Sequence, residues 1–397
     1  MTTQHTPVPR LRSYQGPAVL SCGFRPFFLL GAVYAGLAIL VWLPVFLGEL
    51  MLTTAFAPRD WHIHEMLYGY LPAVITGFLF TAIPNWTGRL PLQGTPLLVL
   101  VIIWILGRFA VTCSAQIGWL AAMAIDVAFL ALITAAAARE ILAGSNWRNL
   151  KVVALVAFLL VGNIAFHLEA HFKGTADYGI RAGIAIVVML IVLIGGRIIP
   201  SFTRNWLARE KPGRLPSPFA GFDVAVVAAS AVALLAWIFW QDGPVIGFVF
   251  ALAGMLHIIR LGRWAGDRTF DERLVLILHV GYAFVPLGFL LVAASAFNLV
   301  PASAGLHAWM AGAAGVRTLA VMTRASLGHT NRPLTASLST QGIYVAVVVA
   351  ALARICAVIS PDWSGQLLHV ASFAWALAFL GFAACFGPAL LTEAKRR

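Results

Sequence analysis

Residues 180–200 read IRAGIAIVVMLIVLIGGRIIP. Between Arg181 and Arg197 no side chain carries a charge or a hydrogen-bonding group. A helix rises about 1.5 Å per residue, so about 20 such residues cross the ~30 Å apolar core of a bilayer. The run is continuously apolar and does not alternate, so it reads as a helical span and not as a barrel strand.

The same pattern recurs on both sides of it. Apolar stretches fall at 24–48, 62–83, 95–114, 117–138, 151–172, 180–200, 220–240, 244–260, 273–296, 302–323, 341–360 and 364–391. Composition agrees. The chain of 397 residues is 61% hydrophobic and 11% charged, against about 45–50% and about 25% in a soluble domain. That balance excludes an ordinary soluble enzyme and a disordered chain. The prediction is an all-α integral membrane protein, a bundle of about 12 transmembrane helices in a single polytopic domain, 1–397. The longest loop, 201–219, separates six spans from six, so halves 1–205 and 215–397 are conceivable, although no sequence echo links them. No cleavable leader is read: residues 1–23 are polar and the first apolar stretch is long enough to stay in the membrane.

The formal charge is +12. In a soluble protein that excess would suggest nucleic acid; in a polytopic one, basic residues collect in cytoplasmic loops. With twelve spans, only Arg59, Arg108, Lys173, Arg181 and Arg354 fall on one side, and the other 22 of the 27 Lys and Arg fall with the termini. Both termini are therefore expected in the cytoplasm, with the protein multi-pass in the cell inner (cytoplasmic) membrane. The lipid bilayer is the expected partner, and nucleic acid is not. Cys22, Cys113, Cys356 and Cys385 stand apart without CxxC spacing, which leaves a disulfide framework, a zinc ribbon and c-type haem attachment unsupported.

Ten histidines are present, nine of them in or beside the spans. Ionisable groups at membrane depth are costly and tend to mark function, and neutral imidazole is the commonest metal ligand. His62, His64, His167, His171, His307 and His369 fall toward the outer side; His257, His279 and His329 fall toward the inner side. In FHLEAH, His167 and His171 are i and i+4 on one helix face. In WHIHEM, His62 and His64 are i and i+2, about 200° apart, so they do not face one site on a regular helix. His62 shares a face with Glu65 and Met66, an imidazole and a soft thioether that suit copper; His307 and Met310 repeat the pairing. Core packing is the blander reading of both methionines. The intramembrane acids are Glu65, Asp126 and Glu169. Glu65 and Glu169 adjoin outer histidines and are candidates to orient them or deliver protons. His279 and His257, on neighbouring spans, are candidates for a second, inner-side site, with His329 as a substitute. The zincin pattern fails because Tyr68 stands where the second histidine belongs. A standard haem–copper oxidase core is disfavoured by the absence of adjacent histidines.

These motifs resemble the NnrS family of multispan membrane proteins. The matching pieces are FRPFF at 24–28, WHIHEM at 61–66, the run from Thr76 to PNWTGR at 84–89 and FHLEA at 166–170. They continue with GGRIIPSFTRNW at 195–206, LHVGYAFVPLG at 278–288 and LHAWMAGAAGVRTLAVMTRASLGHTNRPL at 306–334. The resemblance implies haem and copper, and a link to nitric oxide, denitrification and nitrosative stress. It carries over His62, His64, Glu65, His167, His279, His307 and His329 as motif positions; His171, His257 and His369 rest on depth more than on the resemblance.

The leading expectation is thus a haem- and copper-binding oxidoreductase, nitric oxide reductase-like, at a His-ligated site in the outer half of the membrane. The haem is expected to be b-type, and electrons would come from quinol or a separate donor. The alternatives are a non-enzymatic haem or metal sensor or accessory protein, and a transporter of a small anion or metal.

Overall fold

A computed structural model describes residues 14–392. Among them, twelve long helices follow one another without a strand: α1 (Phe24–Phe46), α2 (Pro58–Thr87), α3 (Thr95–Thr112), α4 (Trp119–Ala143), α5 (Leu150–Lys173) and α6 (Asp177–Glu210). They continue with α7 (Gly221–Phe239), α8 (Pro244–Gly262), α9 (Arg273–Ala296), α10 (Ala302 to His329), α11 (Leu338–Ile359) and α12 (Ser364–Leu391). Eleven are long and apolar enough to cross a membrane. The exception by apolarity is α10, which is continuous but contains His307, Arg317 and Arg324. Its mid-section is buried against neighbours, so it needs less apolar surface than a lipid-facing helix.

The side chains sort as a bilayer requires. Phe158, Val161, Val232, Leu235, Phe248, Leu252, Val345 and Leu377 are exposed on helix flanks, where only lipid can cover them. Small residues let the backbones close up inside. Gly179 lies so near the Phe166 backbone that a Cβ there would stand 2.6 Å from its Cα, which locks the start of α6 against α5.

One boundary differs from expectation. Residues 201–210, read from sequence as the start of the longest loop, continue α6 through Pro200. With 34 residues, α6 is about 51 Å long and outreaches the bilayer core. Arg204, Arg209 and Glu210 end its apolarity without ending its helix, because charged residues favour a helix in water about as well as leucine does.

Both described ends meet. Nη1 of Arg25, in the first turn of α1, donates to the carbonyls of Ala389 at 3.2 Å, Leu390 at 3.0 Å and Thr392 at 2.9 Å, at the end of α12. Of the basic residues behind the topology expectation, Arg10, Arg12, Lys395, Arg396 and Arg397 lie outside the described residues. An alkaline phosphatase domain fused after Arg397 is expected to be inactive, and a fluorescent protein at the same point to mature. The opposite pair of results would place the termini outside the cell.

Candidate metal centre

Two of the twelve helices contain a π-helical segment, Glu65–Tyr70 in α2 and Ala308–Val316 in α10. Such segments add a residue to a turn, break the regular face and are frequent at functional sites. The first directly follows His64.

His64 is wholly buried and turns into the bundle. Its Nδ1–H donates to Glu65 Oε1 at 3.0 Å. Its Nε2 lies 3.0 Å from Asn163 Oδ1 and 3.2 Å from Asp126 Oδ2. Asn163 and His167 are i and i+4 on α5, so they present side by side. Asn163 Nδ2 donates to Asp126 Oδ2 at 2.7 Å, and His167 Nε2 donates to the same oxygen at 3.1 Å. Arg108 of α3 closes the group. Its Nη1 donates to both oxygens of Glu65, at 2.8 and 2.7 Å, and its Nη2 donates to Asp126 Oδ1. Tyr34 of α1 donates its hydroxyl to Glu65. Five helices thus contribute to one buried polar cluster. Phe56, in the segment before α2, covers it, with ring centroids 5.3 Å from both His64 and His167, and Phe166 packs at 5.0 Å from His64.

Three of these groups form a ligand set. One ligand atom each from His64, Asp126 and His167 lies within 4.8 Å of the others. Metal–nitrogen and metal–oxygen bonds of about 2.0–2.2 Å at tetrahedral angles put ligand atoms about 3.4 Å apart. The contacts of 3.1 and 3.2 Å would widen by only a few tenths of an ångström to admit an ion. Charge points the same way. With His64 neutral, Glu65 and Asp126 against Arg108 leave one negative charge in excess in a dry interior, where it is expensive. Both ring nitrogens of His64 face oxygen acceptors, a demand met by a proton on each, or by a proton on Nδ1 and a cation at Nε2. Glu65 therefore fixes which nitrogen of His64 turns toward Asp126, the orienting role that carboxylates play behind metal-bound imidazoles.

The other expected residues lie elsewhere. His62 turns the opposite way from His64, as their spacing requires, and stacks on Trp42 at 4.3 Å. It stands within electrostatic range of His307 and Arg354. His307 Nδ1–H donates to the Ser303 carbonyl at 2.6 Å, which leaves the Nε2 lone pair free. Among the described residues Arg354 has no carboxylate partner and rests over the Trp42 ring at 5.7 Å. Met66 and Met310 pack against the core. His171 is exposed and stacks on Trp119 at 4.0 Å, so its i, i+4 relation to His167 does not bring it into the cluster. Glu169 does not join either: it accepts from Gly179 N at 2.7 Å in the first turn of α6 and pairs with Lys173 at 3.5 Å. There it serves the positive end of that helix.

Toward the end of the bundle that carries the loop 263–272, His257 has both nitrogens engaged, at 2.8 Å to Ser230 and 3.0 Å to Tyr282. His279 bonds Thr203 at 2.8 Å through Nε2, and its buried Nδ1 has no partner. His329 closes α10 and packs on Phe24 at 5.4 Å. His369 bonds the Gly365 carbonyl at 2.8 Å on an exposed face.

Tyr34, Arg108 and Asn163 belong to the cluster although the sequence motifs do not point to them, and Asp126 gains its role only here. Arg108 counts toward the topology bias by its place in the sequence, yet it is 5% exposed inside the bundle. The signal was present: an arginine and an aspartate, each within an apolar span, on consecutive helices of a membrane protein rarely stay unpaired.

A family model described as NnrS protein matches residues 18–393. No curated protein matches the chain.

Proposed function

The chain belongs to the NnrS family, and on that footing we propose that it is a membrane oxidoreductase that consumes nitric oxide at a metal ion held by His64, Asp126 and His167. The observation that carries this reading is the buried two-histidine, one-carboxylate set, held by Arg108 and Glu65. Imidazole and carboxylate donors suit copper, iron or zinc, and three protein ligands leave a position open for a small molecule. Nitric oxide is neutral and apolar enough to reach a buried site through lipid, so no polar channel is required. Reduction of two NO with two electrons and two protons gives N2O and water; a bound copper would supply the redox chemistry. The chain's own residues hold the ligands in place. Arg108 anchors Asp126 and Glu65, Glu65 aims His64, and Phe56 excludes water.

The groups that would hold a haem stand elsewhere. His62 and His307, with His307 Nε2 free and Arg354 lacking an acid, supply the imidazole and cationic groups that a b-type haem uses. The tryptophan-rich wall there includes Trp42 and Trp61, whose indole N–H groups are buried without partners.

The purified protein, supplied with a reductant and dissolved NO, should consume NO and release N2O. His64→Ala should abolish this, and His171→Ala should retain it. Haem and metal content without NO consumption in the wild type would instead favour a sensor or accessory role. An optical spectrum with no haem band would count against the assignment to His62 and His307.

A further inference from the structure

Arg317 is 5% exposed, at the point where the second π-helical segment of α10 ends. A guanidinium carries five N–H donors. Among the described residues Arg317 has one long bond, from Nη1 to the Ile191 carbonyl at 3.4 Å, and the Tyr282 ring at 5.6 Å. Among those same residues no carboxylate pairs with it.

The neighbouring polar groups are already spent on one another. Arg260 donates from Nε to Asp223 at 2.9 Å and from Nη1 to the Val192 carbonyl at 3.2 Å and Tyr282 Oη at 3.0 Å. The Tyr282 hydroxyl then donates to His257 Nδ1 at 3.0 Å. His257 Nε2–H donates to Ser230 at 2.8 Å, and Ser230 donates to the Val226 carbonyl at 2.7 Å. Asp223 is thereby matched by Arg260, and the Tyr282 hydroxyl has nothing left for Arg317. Two buried guanidinium groups face one carboxylate, so this part of the interior holds one unmatched positive charge, which membrane interiors tolerate poorly.

The backbone is shaped around both groups. Gly195 and Gly196 of α6 lie against Arg317 and Arg260; a methyl at Gly195 would collide with the Arg317 Nη atoms, and one at Gly196 with Arg260 Nη2. Gly281 of α9 gives room to the Arg317 stem, where a Cβ would come within 2.6 Å of Cγ. One helical turn from Tyr282, toward the loop at Gly266, His279 keeps its Nδ1 buried and unpartnered. An unpaired polar atom therefore lies between the free guanidinium and the end of the bundle.

We propose that Arg317 is the anchor of a buried anion site between α6, α9 and α10, which takes a small carboxylate or comparable planar oxyanion. A guanidinium edge matches such a group with two parallel hydrogen bonds and cancels the unmatched charge. The anion is either free in solution or the acidic arm of a cofactor that stays bound through purification.

The test uses the full-length protein in detergent, in a buffer whose only other anion is HEPES, at constant ionic strength. Sodium formate is titrated while thermal unfolding is followed by tryptophan fluorescence. For a free anion, the wild type should gain stability saturably, Arg317→Gln should show no saturable gain, and Arg317→Lys should bind formate about tenfold more weakly. Arg273→Gln, at an exposed arginine on α9, should behave as the wild type. For a cofactor's acidic arm, formate should have no effect, but mass spectrometry should find a carboxylate-bearing molecule at unit stoichiometry in the wild type and about tenfold less in Arg317→Gln and Arg317→Lys. If neither formate nor any co-purified acid distinguishes the wild type from the variants, Arg317 is an arginine solvated by internal water and the proposal is wrong. Lys keeps the charge and most of the length, so it covers the case in which the Gln variant does not fold.

Discussion

Replacing His64 or His167 by alanine should empty the metal centre. Each removes one of the three proposed ligands of a buried site, and the remaining two cannot close the coordination sphere. Metal measured by plasma mass spectrometry on purified protein should fall to about a tenth of the wild-type content or less; losing even an outer partner commonly costs 10–100-fold in affinity. Asp126→Asn should do the same, because it removes the anionic ligand and leaves a neutral amide among donors. His171→Ala and His369→Ala, both at exposed positions stacked or bonded outside the cluster, should retain full content. Full metal in His64→Ala and His167→Ala alike would move the centre elsewhere. The natural second choice is then the pair His62 and His307.

The largest effect on folding is expected at Arg108. It holds both carboxylates of the cluster, and its removal leaves Glu65 and Asp126 buried with two negative charges and no guanidinium. Breaking a buried ion pair on one side costs about 3–5 kcal/mol. Arg108→Met keeps the length and apolar bulk, so the loss is electrostatic. The variant should yield little monodisperse protein in detergent, with an unfolding midpoint well below that of the wild type. The combination Arg108→Met, Glu65→Gln, Asp126→Asn removes all three charges and should recover much of the loss. If Arg108→Met alone unfolds like the wild type, the cluster does not hold the bundle together. If the triple variant is no better than the single one, packing of the arginine stem, not its charge, is what matters.

The sequence-legible part of the site ran along single helices. The spacing of His62 and His64 required them to face opposite ways, and they do, one onto Trp42 and the other into the bundle. The same reasoning applied to His167 and His171 indicated a shared face. That face is real, but the helix rises out of the core over those four residues. His167 is buried against Asp126 while His171 lies exposed on Trp119. Periodicity reports direction around a helix axis and says nothing of where along that axis the neighbouring helix stops. Glu169 stands outside the cluster for a related reason. Two residues from His167, it points away from it and toward the start of α6.

Sequence by itself determined the membrane class, the order of the helices and their places along the chain. Each of these depends on local apolarity, which a bilayer reads one span at a time because every backbone polar group must be satisfied within its own helix. The family was legible for the same kind of reason, through contiguous motifs. Tertiary structure alone decided which polar residues meet. Tyr34, His64, Glu65, Arg108, Asp126, Asn163 and His167 come from five helices and join only where those helices cross. No residue carries in its neighbours' identity a record of the helix that will stand opposite. That choice is made by packing, and by the cost of leaving any one of those buried charges alone.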